Sequence, residues 1–391
     1  MTDSDAPQDK QEAAELNLYN IAAGQAFLPR LAAALLDDTH RATLFGACRL
    51  EDVHILLPTR RAARMLAGEM VGQTAQNGRD ALLLPRIDTL GDLDEDMPDT
   101  LTASMAADDL KPAIDQMARH FHLLPLVAAW AEQGGLGGGA GETLNPVKLS
   151  ALVHDLESFL DQTQNEQARL EKLDTLAPES LAENWQHIVS LLNIVVRYWP
   201  DQLDEVGQMD PTARRNALLD RRRQNWQDTP PDYPILAAGS TGSIRATADL
   251  LTLIAGLPRG AVVLPGLDET ASPALWQAIA KDEVHPQYAL AQLLHHMKTT
   301  PQAVKRFPAS APEAPRAALL NQALVPAAHT AQWINFERPA KSDTLHGLTL
   351  IEAPDMRAEA GAIALAMREV LEHDTKTAAL VTRDRNLARR V

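Results

Sequence analysis

Cysteine is almost missing from this chain: Cys48 is the single one in 391 residues. An intrachain disulfide and a cysteine-built metal or iron–sulfur site are therefore excluded, and a reducing compartment is indicated. Long apolar runs are missing as well, because no stretch approaches the roughly 18 residues that a membrane helix needs. The polar opening over residues 1–16 lacks the basic and apolar regions of a secretory signal. The sequence predicts a soluble, cytoplasmic protein without a membrane partner.

Aromatic and basic residues are scarce. Aromatics make up 4% of the chain and hydrophobic residues 45%, so aliphatic and alanine side chains must supply most of the packing, which favours helices. The formal net charge of −16 argues against nonspecific nucleic-acid binding over the whole surface. A local basic groove is compatible with that sum, so the positions of the arginines matter more than their number.

What the chain does have is a repeated strand–turn–helix pattern, which predicts an open parallel α/β sheet with right-handed crossovers. The pattern divides the chain into five parts: a disordered tail (1–16), a core domain in two pieces (17–100 and 233–342), a helical insertion between them (101–232) and the start of a second domain (343–391). Apolar runs predict strands at 18–22, 53–57, 81–84 and 261–264 and a further strand ending at residue 238, with helices over about 26–36 and 60–70.

The turn after the first predicted strand occupies a position where nucleotide-binding proteins place a phosphate loop. Such a loop needs G-x-x-x-x-G-K-[ST], in which the lysine reaches the phosphates. Gly24 and Gln25 open this turn, but no lysine or magnesium-binding hydroxyl follows them there. The strand that ends in Ala237, Ala238 and Gly239 lacks the carboxylate that holds magnesium in nucleotidases. The sequence therefore predicts no triphosphate hydrolysis and no catalytic residue.

Two other turns contain groups that suit a phosphate. Thr59, Arg60 and Arg61 begin a helix directly after a strand, and helix-start amides with two guanidiniums form an anion site suited to the DNA backbone. Ordinary exposed arginines are the alternative interpretation.

The second such turn follows Gly239 and contains three hydroxyl residues, Ser240, Thr241 and Ser243. Glycines and hydroxyls at a helix start also bind phosphate. A tight structural turn is the alternative, and the sequence leaves both alternatives open.

Other patterns favour structural interpretations. The acidic run 92–99 is compatible with a magnesium site but typical of a solvated loop, and the glycine-rich segment 134–143 is a linker by composition. Arg214 and Arg221 lie seven residues apart on a predicted helix and indicate a solvated face or a contact with nucleic acid or a partner. The histidine pairs lack supporting ligands and are assigned no metal; they are His120 with His122 and His295 with His296.

Taken in order, segments spanning most of residues 18–391 resemble the amino-terminal part of the AddB family in its alphaproteobacterial type. The matching segments are NIAAGQAFLPRLAAALL, VHILLPTRRAARML, LLLPRIDTLGDLDED, AENWQHIVSLLNIVVRYWP, RRNALL, AAGSTGSIRATADLL, GAVVLPGLD, HPQYAL, and LTLIEAPDMRAEAGAIALAMREVL with AALVTRDRNLARRV. AddB partners AddA in a helicase–nuclease that processes DNA double-strand breaks. The resemblance implies a fold of the P-loop NTPase and superfamily 1 helicase type, with AddA and DNA, single-stranded or duplex, as partners.

The resemblance also implies roles for individual residues. It places the Thr59 turn at a motif that contacts the DNA backbone and Thr89, in TLGDL, near the next such motif. The turns at Gly24 and Gly239 become a vestigial nucleotide site, and 382–383 lies near an arginine motif for the nucleotide. The family's nuclease domain and iron–sulfur cysteines lie beyond Val391, where the chain stops in mid-helix. We therefore expect a noncatalytic, cofactor-free fragment of a subunit of a DNA exonuclease and helicase complex.

Three functions remain open from the sequence. The leading expectation is a noncatalytic scaffold that contacts DNA along strand-end loops. The second is a nucleotide-driven enzyme in which Asp92 or Asp268 holds magnesium. The third is a protein-interaction platform for AddA, which the negative net charge favours.

Overall fold

The computed structural model describes residues 16–79, 81–90, 110–132, 145–168, 189, 191–192, 194–312, 314–335, 342–374 and 376–391. The acidic run 92–99, the glycine-rich segment 134–143 and nearly all of the predicted tail lie outside these residues. The chain divides into two compact units, Met1–Phe336 and Glu337–Val391.

The first unit is built on a six-stranded, all-parallel sheet with the strand order β3-β2-β4-β5-β1-β6. The predicted open parallel α/β sheet is confirmed. The strands are β1 (Leu18–Ile21), β2 (His54–Leu57), β3 (Arg86–Thr89), β4 (Ile235–Ala238), β5 (Gly260–Pro265) and β6 (Lys305–Arg306).

The described helices cover both faces of this sheet and form the segment between β3 and β4. In the first unit they are α1 (Phe27–Leu36), α2 (Asp38–Phe45), α3 (Arg60–Gln76), α4 (Gln116–Glu132), α5 (Pro146–Asn165), α6 (Trp199–Glu205), α7 (Pro211–Asp228), α8 (Arg245–Gly256), α9 (Pro273–Ile279), α10 (Tyr288–His296) and α11 (Pro315–Ala323). The second unit contains α12 (Met356–Leu371) and α13 (Arg385–Arg390).

Successive side chains of the central strands point to opposite faces of the sheet and so belong to two separate cores. On β4, Ile235 and Ala237 pack with α8, α9 and α10, whereas Leu236 and Ala238 pack with α1, α2 and α3. Strands buried on both faces read as continuous apolar runs, which is why β4 and β5 were predictable. The sheet is therefore a rigid, doubly covered platform whose strand ends position the turns described below.

The helical segment between β3 and β4 has its own core around Trp199, which is fully buried. The Asp210 carboxylate accepts hydrogen bonds from Trp199 Nε1 at 2.9 Å and from Gln164 Nε2 at 2.8 Å. Its other oxygen lies 2.9 Å from Nε of the buried Arg119. The buried charge is thus paired and hydrogen-bonded, as burial requires.

The prediction of a strand at 81–84 was wrong. Leu83 and Leu84 are exposed, and the strand begins after Pro85, with His54 of β2 in register with Arg86. This strand lies at the edge of the sheet and alternates polar and apolar side chains, so the apolar run before it was misleading.

Two further predictions failed. The strands expected in the second unit do not form: no strand is present within 342–374 or 376–391, and Leu350 and Val381 are highly exposed. An apolar run becomes a strand only when a neighbouring strand satisfies its backbone groups. In the first unit, the proline-broken region after residue 286 contains a strand that was not expected, β6, which pairs with β1.

Candidate nucleic-acid interface

The carboxyl ends of the six parallel strands lie along one edge of the sheet, where ligands of open α/β sheets gather. The carboxyl end of β3 and the turns after β2 and β4 are neighbours because these strands are adjacent. We call them the open half of the edge. The turns after β5, β1 and β6 form the closed half. The predicted DNA-binding residues all belong to the open half.

The arginine turn, residues 58–61, connects β2 to α3. Thr59 is the N-cap of α3, and its Oγ1 accepts a hydrogen bond from Ala62 N at 3.1 Å. Backbone amides in the first turn of any helix point out of its start, where the helix itself offers them no acceptor. Thr59, Arg60, Arg61 and Arg64 are all exposed. Helix-start amides, the hydroxyl proton of Thr59 and the guanidinium groups can together bind an anion.

The serine loop, residues 239–243, follows β4 and leads into α8. Ser243 is exposed, while Ser240 and Thr241 are half-buried. Ser240 Oγ accepts a hydrogen bond from Gly242 N at 3.2 Å, so part of this loop is a tight turn. Ile244, the N-cap of α8, provides no side-chain cap, which leaves the first amides of that helix without a side-chain acceptor there. Of the two alternatives of the sequence analysis, the tight turn is present, and Ser243 is the exposed hydroxyl residue of the loop.

The arginine turn and the serine loop are neighbours, because β2 and β4 are paired in the sheet. A methyl group placed on Gly239 would lie 3.7 Å from Pro58 Cδ, which is ordinary van der Waals contact. On the other side of β2, Leu90 N donates a hydrogen bond to Leu57 O at 2.7 Å and brings the end of β3 alongside. Thr89 is 8% exposed, so its side chain is far less accessible than the arginines. The groups of the open half that suit a phosphate are therefore concentrated at two turns.

The turn at Gly24 and Gln25, one part of the predicted vestigial nucleotide site, lies in the closed half, where protein groups fill it. Gly24 has a φ of +83°, a conformation that favours glycine. The side-chain amide of Gln25 pairs with Ala311 in both directions: Nε2 donates to Ala311 O at 2.7 Å and Oε1 accepts from Ala311 N at 2.8 Å. Ala237 and Ala238 are buried in the sheet. Gly239, at the border of the two halves, lies beside the ring of Phe27, since a methyl group added to it would lie 3.3 Å from Phe27 Cε1.

The turn after β5 is closed by buried side-chain hydrogen bonds. Asn20, fully buried on β1, donates from Nδ2 to Leu267 O at 3.0 Å and to Glu269 Oε1 at 2.9 Å. Asn20 Oδ1 accepts from Leu267 N at 2.9 Å. Asp268 is 4% exposed, and its Oδ1 accepts from Thr270 N, Thr270 Oγ1 and Ala271 N at 2.7–3.1 Å. Asp268 therefore stabilises its own loop, which speaks against a role in holding magnesium.

A polar cluster that the sequence analysis missed lies near the opposite edge of the sheet. His54 Nε2 is 2.7 Å from Asp88 Oδ2, and the same oxygen accepts from Arg86 Nε at 2.8 Å. Burial lowers the pKa of His54. The hydrogen bond and the negative charge of Asp88 act to raise this pKa but offset the effect of burial only in part. Burial acts to raise the pKa of Asp88, but the hydrogen bond from His54 and the charge of Arg86 hold it below its ordinary value. Two polar residues interrupting apolar segments, in VHILL and RIDT, were the available signal.

The remaining candidates belong to the helical segment between β3 and β4, to the second unit or to residues outside the described ones. Arg214 is buried and its Nε donates to Lys111 O at 3.3 Å, so it supports the helical segment and forms no solvated face. Thr382 and Arg383 belong to the second unit, where Thr382 Oγ1 accepts from Asp384 N at 3.0 Å. Asp92 lies in the acidic run outside the described residues. Within those residues no cluster of histidine, cysteine and carboxylate groups is suited to a metal ion.

In comparisons with known proteins, the chain matched no family model and no curated protein. Among the helices of the described segments, none combines the length and the apolar character needed to cross a membrane.

Proposed function

We propose that this chain is a noncatalytic DNA-binding scaffold, the helicase-like region of an AddB-type subunit that acts with AddA in double-strand break repair and recombination. The observation that carries the proposal is the contrast within one sheet edge. Arginines, hydroxyls and helix-start amides are presented side by side in the open half. In the closed half, the position of a phosphate loop is occupied by the chain's own side chains.

Charge and geometry support a phosphate backbone as the ligand of the open half. Arg60, Arg61 and Arg64 project from the first turns of α3, and helix-start amides favour anions. The hydroxyls of the serine loop add neutral donors beside them. Such groups fix a nucleic-acid strand by its phosphates and do not distinguish bases. The scaffold is thus proposed to bind single-stranded DNA with little sequence preference from these two turns.

Oligonucleotide binding tests the proposal. The double variant Arg60→Ala with Arg61→Ala is expected to bind a single-stranded oligonucleotide about tenfold or more weakly at low salt, and to reduce the slope of log K against log salt by about 1.4. The matched control is Arg389→Ala with Arg390→Ala, an adjacent exposed pair in α13 that changes the net charge equally. Equal affinities of wild type and the α3 variant would overturn the assignment.

A protein-interaction platform for AddA is the second candidate, and two observations favour it. The net charge of −16 opposes DNA binding at long range. In addition, Met117 and Phe121 lie one turn apart on α4 and are each 62% exposed. Binding to AddA that survives the α3 variant but is lost in Met117→Glu with Phe121→Glu would establish this role. Because the two surfaces are different, both roles can coexist.

A further inference from the structure

Two glycines of the serine loop lie beside neighbouring side chains and adopt backbone conformations that favour glycine. Gly239 has a φ of +80° and Gly242 a φ of +62°. A methyl group on Gly239 would lie 3.3 Å from Phe27 Cε1 and 3.6 Å from Phe27 Cζ, and one on Gly242 would lie 2.6 Å from Leu293 Cδ1. The loop therefore lies between the ring of Phe27 and the side chain of Leu293 on α10.

Phe27 is itself fixed in place. It is the first residue of α1, which packs along α3 and so joins the helix that carries the arginines. The turn just before it is tied to the segment after β6 by the two-way amide pairing of Gln25 with Ala311. Arg30 Nη1 adds a bond of 3.3 Å to Ala309 O. The ring is thus anchored from two sides of the edge.

Gly239 is the point where three elements meet: the start of α1, the arginine turn and the serine loop. The Phe27 ring lies on one side of this glycine, and a methyl group added to the glycine would also lie 3.7 Å from Pro58 Cδ of the arginine turn. The ring therefore borders the glycine at which the serine loop approaches the arginine turn. Ordering a loop before binding reduces the entropy that binding would otherwise lose.

We propose that Phe27 is a positioning residue: it holds the serine loop beside the arginine turn, so that the anion site is preformed without a bound nucleotide. This inference rests on the proposed DNA-binding function.

The test compares Phe27→Ala with Leu31→Ala, which removes a fully buried side chain one turn further along the same helix. Both variants lower the melting temperature. Phe27→Ala alone is expected to weaken oligonucleotide binding about 3- to 10-fold, the cost of ordering one or two loop residues. It should also speed amide hydrogen exchange at Gly239 and Gly242. Phe27→Tyr keeps the ring at a half-buried position and is expected to restore both properties.

The outcomes separate this inference from the proposed function. If wild type binds DNA and Phe27→Ala binds equally well, or if its exchange at Gly239 and Gly242 is unchanged, Phe27 does not position the loop. If wild type does not bind DNA at low salt, the proposed function is wrong and the anion role fails with it. The exchange measurement then still decides whether Phe27 holds the loop.

Discussion

The closed half and the open half of the carboxyl edge share one architecture, but they differ in what their polar side chains contact. In the closed half, polar side chains point back at the protein: Asn20, Gln25 and Asp268 form their hydrogen bonds with neighbouring loops. In the open half, Arg60 and Arg61 extend from the first turn of a helix and are exposed. Parallel strands and helix starts are present in both, so the fold alone does not make a binding site.

The difference is explained by which groups are already satisfied. A buried amide or carboxylate must find a partner within the protein, because an unpaired one costs about 1–3 kcal/mol. Satisfied groups stabilise the fold but have no capacity left for a ligand. Helix-start amides, to which the helix itself offers no acceptor, are hydrated in the free protein and can exchange water for phosphate beside the exposed arginines. The comparison predicts that substitutions in the closed half affect stability, whereas those in the open half affect binding.

The largest effect is expected for Asn20→Ala in the closed half. The substitution removes three hydrogen bonds and leaves the buried N–H and C=O of Leu267 without their partner, so the free energy of unfolding should fall by about 2–4 kcal/mol. Urea unfolding measures it. Asn17→Ala is the control, since Asn17 joins the sheet through its backbone and should change stability by less than about 0.5 kcal/mol. A larger loss of DNA affinity than of stability would break the comparison.

A smaller loss is expected for Gly239→Ala, at the border of the halves. The new methyl group meets Phe27 at 3.3 Å in a backbone conformation of φ +80°, which together should cost about 1–2 kcal/mol. The matched control is Gly68→Ala in α3, where nothing lies within 4 Å; it should gain about 0.5–1 kcal/mol from helix propensity. Thermal unfolding of both variants decides. Unchanged stability of Gly239→Ala would show that the border is not tightly packed.

The sequence was sufficient for the strands whose burial is complete. The runs in β4 and β5 are apolar and the run in β2 is interrupted by His54 alone, so periodicity and turn residues located them. The edge strand β3 was misplaced because Arg86 and Asp88 lie on one face, where they bond each other and His54. The short strand β6 was missed because two charged residues contain no pattern to detect.

The candidate site was predictable in its parts but not in its boundaries. The Thr59 turn could be identified because a cap, two arginines and a helix start are local features. The hydrogen bonds that fill the closed half could not be predicted from the sequence, because Gln25 and Ala311 are 286 positions apart and pair only in the folded chain. Likewise, nothing in the sequence around Phe27 indicates that its ring lies beside Gly239. Contacts between side chains that are far apart in the sequence leave no periodic pattern from which they could be predicted.

A modest effect of pH on stability is expected from the cluster of His54, Asp88 and Arg86 near the opposite edge of the sheet. Burial places the pKa of His54 below its ordinary value of 6.5, so the unfolded chain binds the additional proton first as the pH falls. The free energy of unfolding should therefore decrease between pH 6.5 and the lowered pKa. Asp88, whose pKa lies below 3.8, contributes stability above that value that is lost as the pH falls through its folded pKa.

His54→Gln tests this origin, because it keeps an amide donor for Asp88 but removes the titration. The variant should show a flatter pH dependence of stability below pH 6.5, measured by urea unfolding at several pH values. His373→Gln, an exposed histidine in the second unit, serves as the control and should keep the wild-type profile. Equal profiles for wild type and His54→Gln would assign the acid sensitivity to other groups.

The smallest expected effect is that of ATP with magnesium, which should be none. The position of a phosphate loop lacks a lysine, Gln25 is paired with Ala311, and the Asp268 Oδ1 already accepts three hydrogen bonds. A nucleotide at 100 times its dissociation constant would stabilise the folded chain by about 2.7 kcal/mol, which raises the melting temperature measurably. Titration calorimetry and thermal unfolding with millimolar ATP should show neither heat nor shift. Stoichiometric binding would instead favour a nucleotide-driven enzyme and would remove the distinction between the two halves, since the closed half would then have capacity for a ligand.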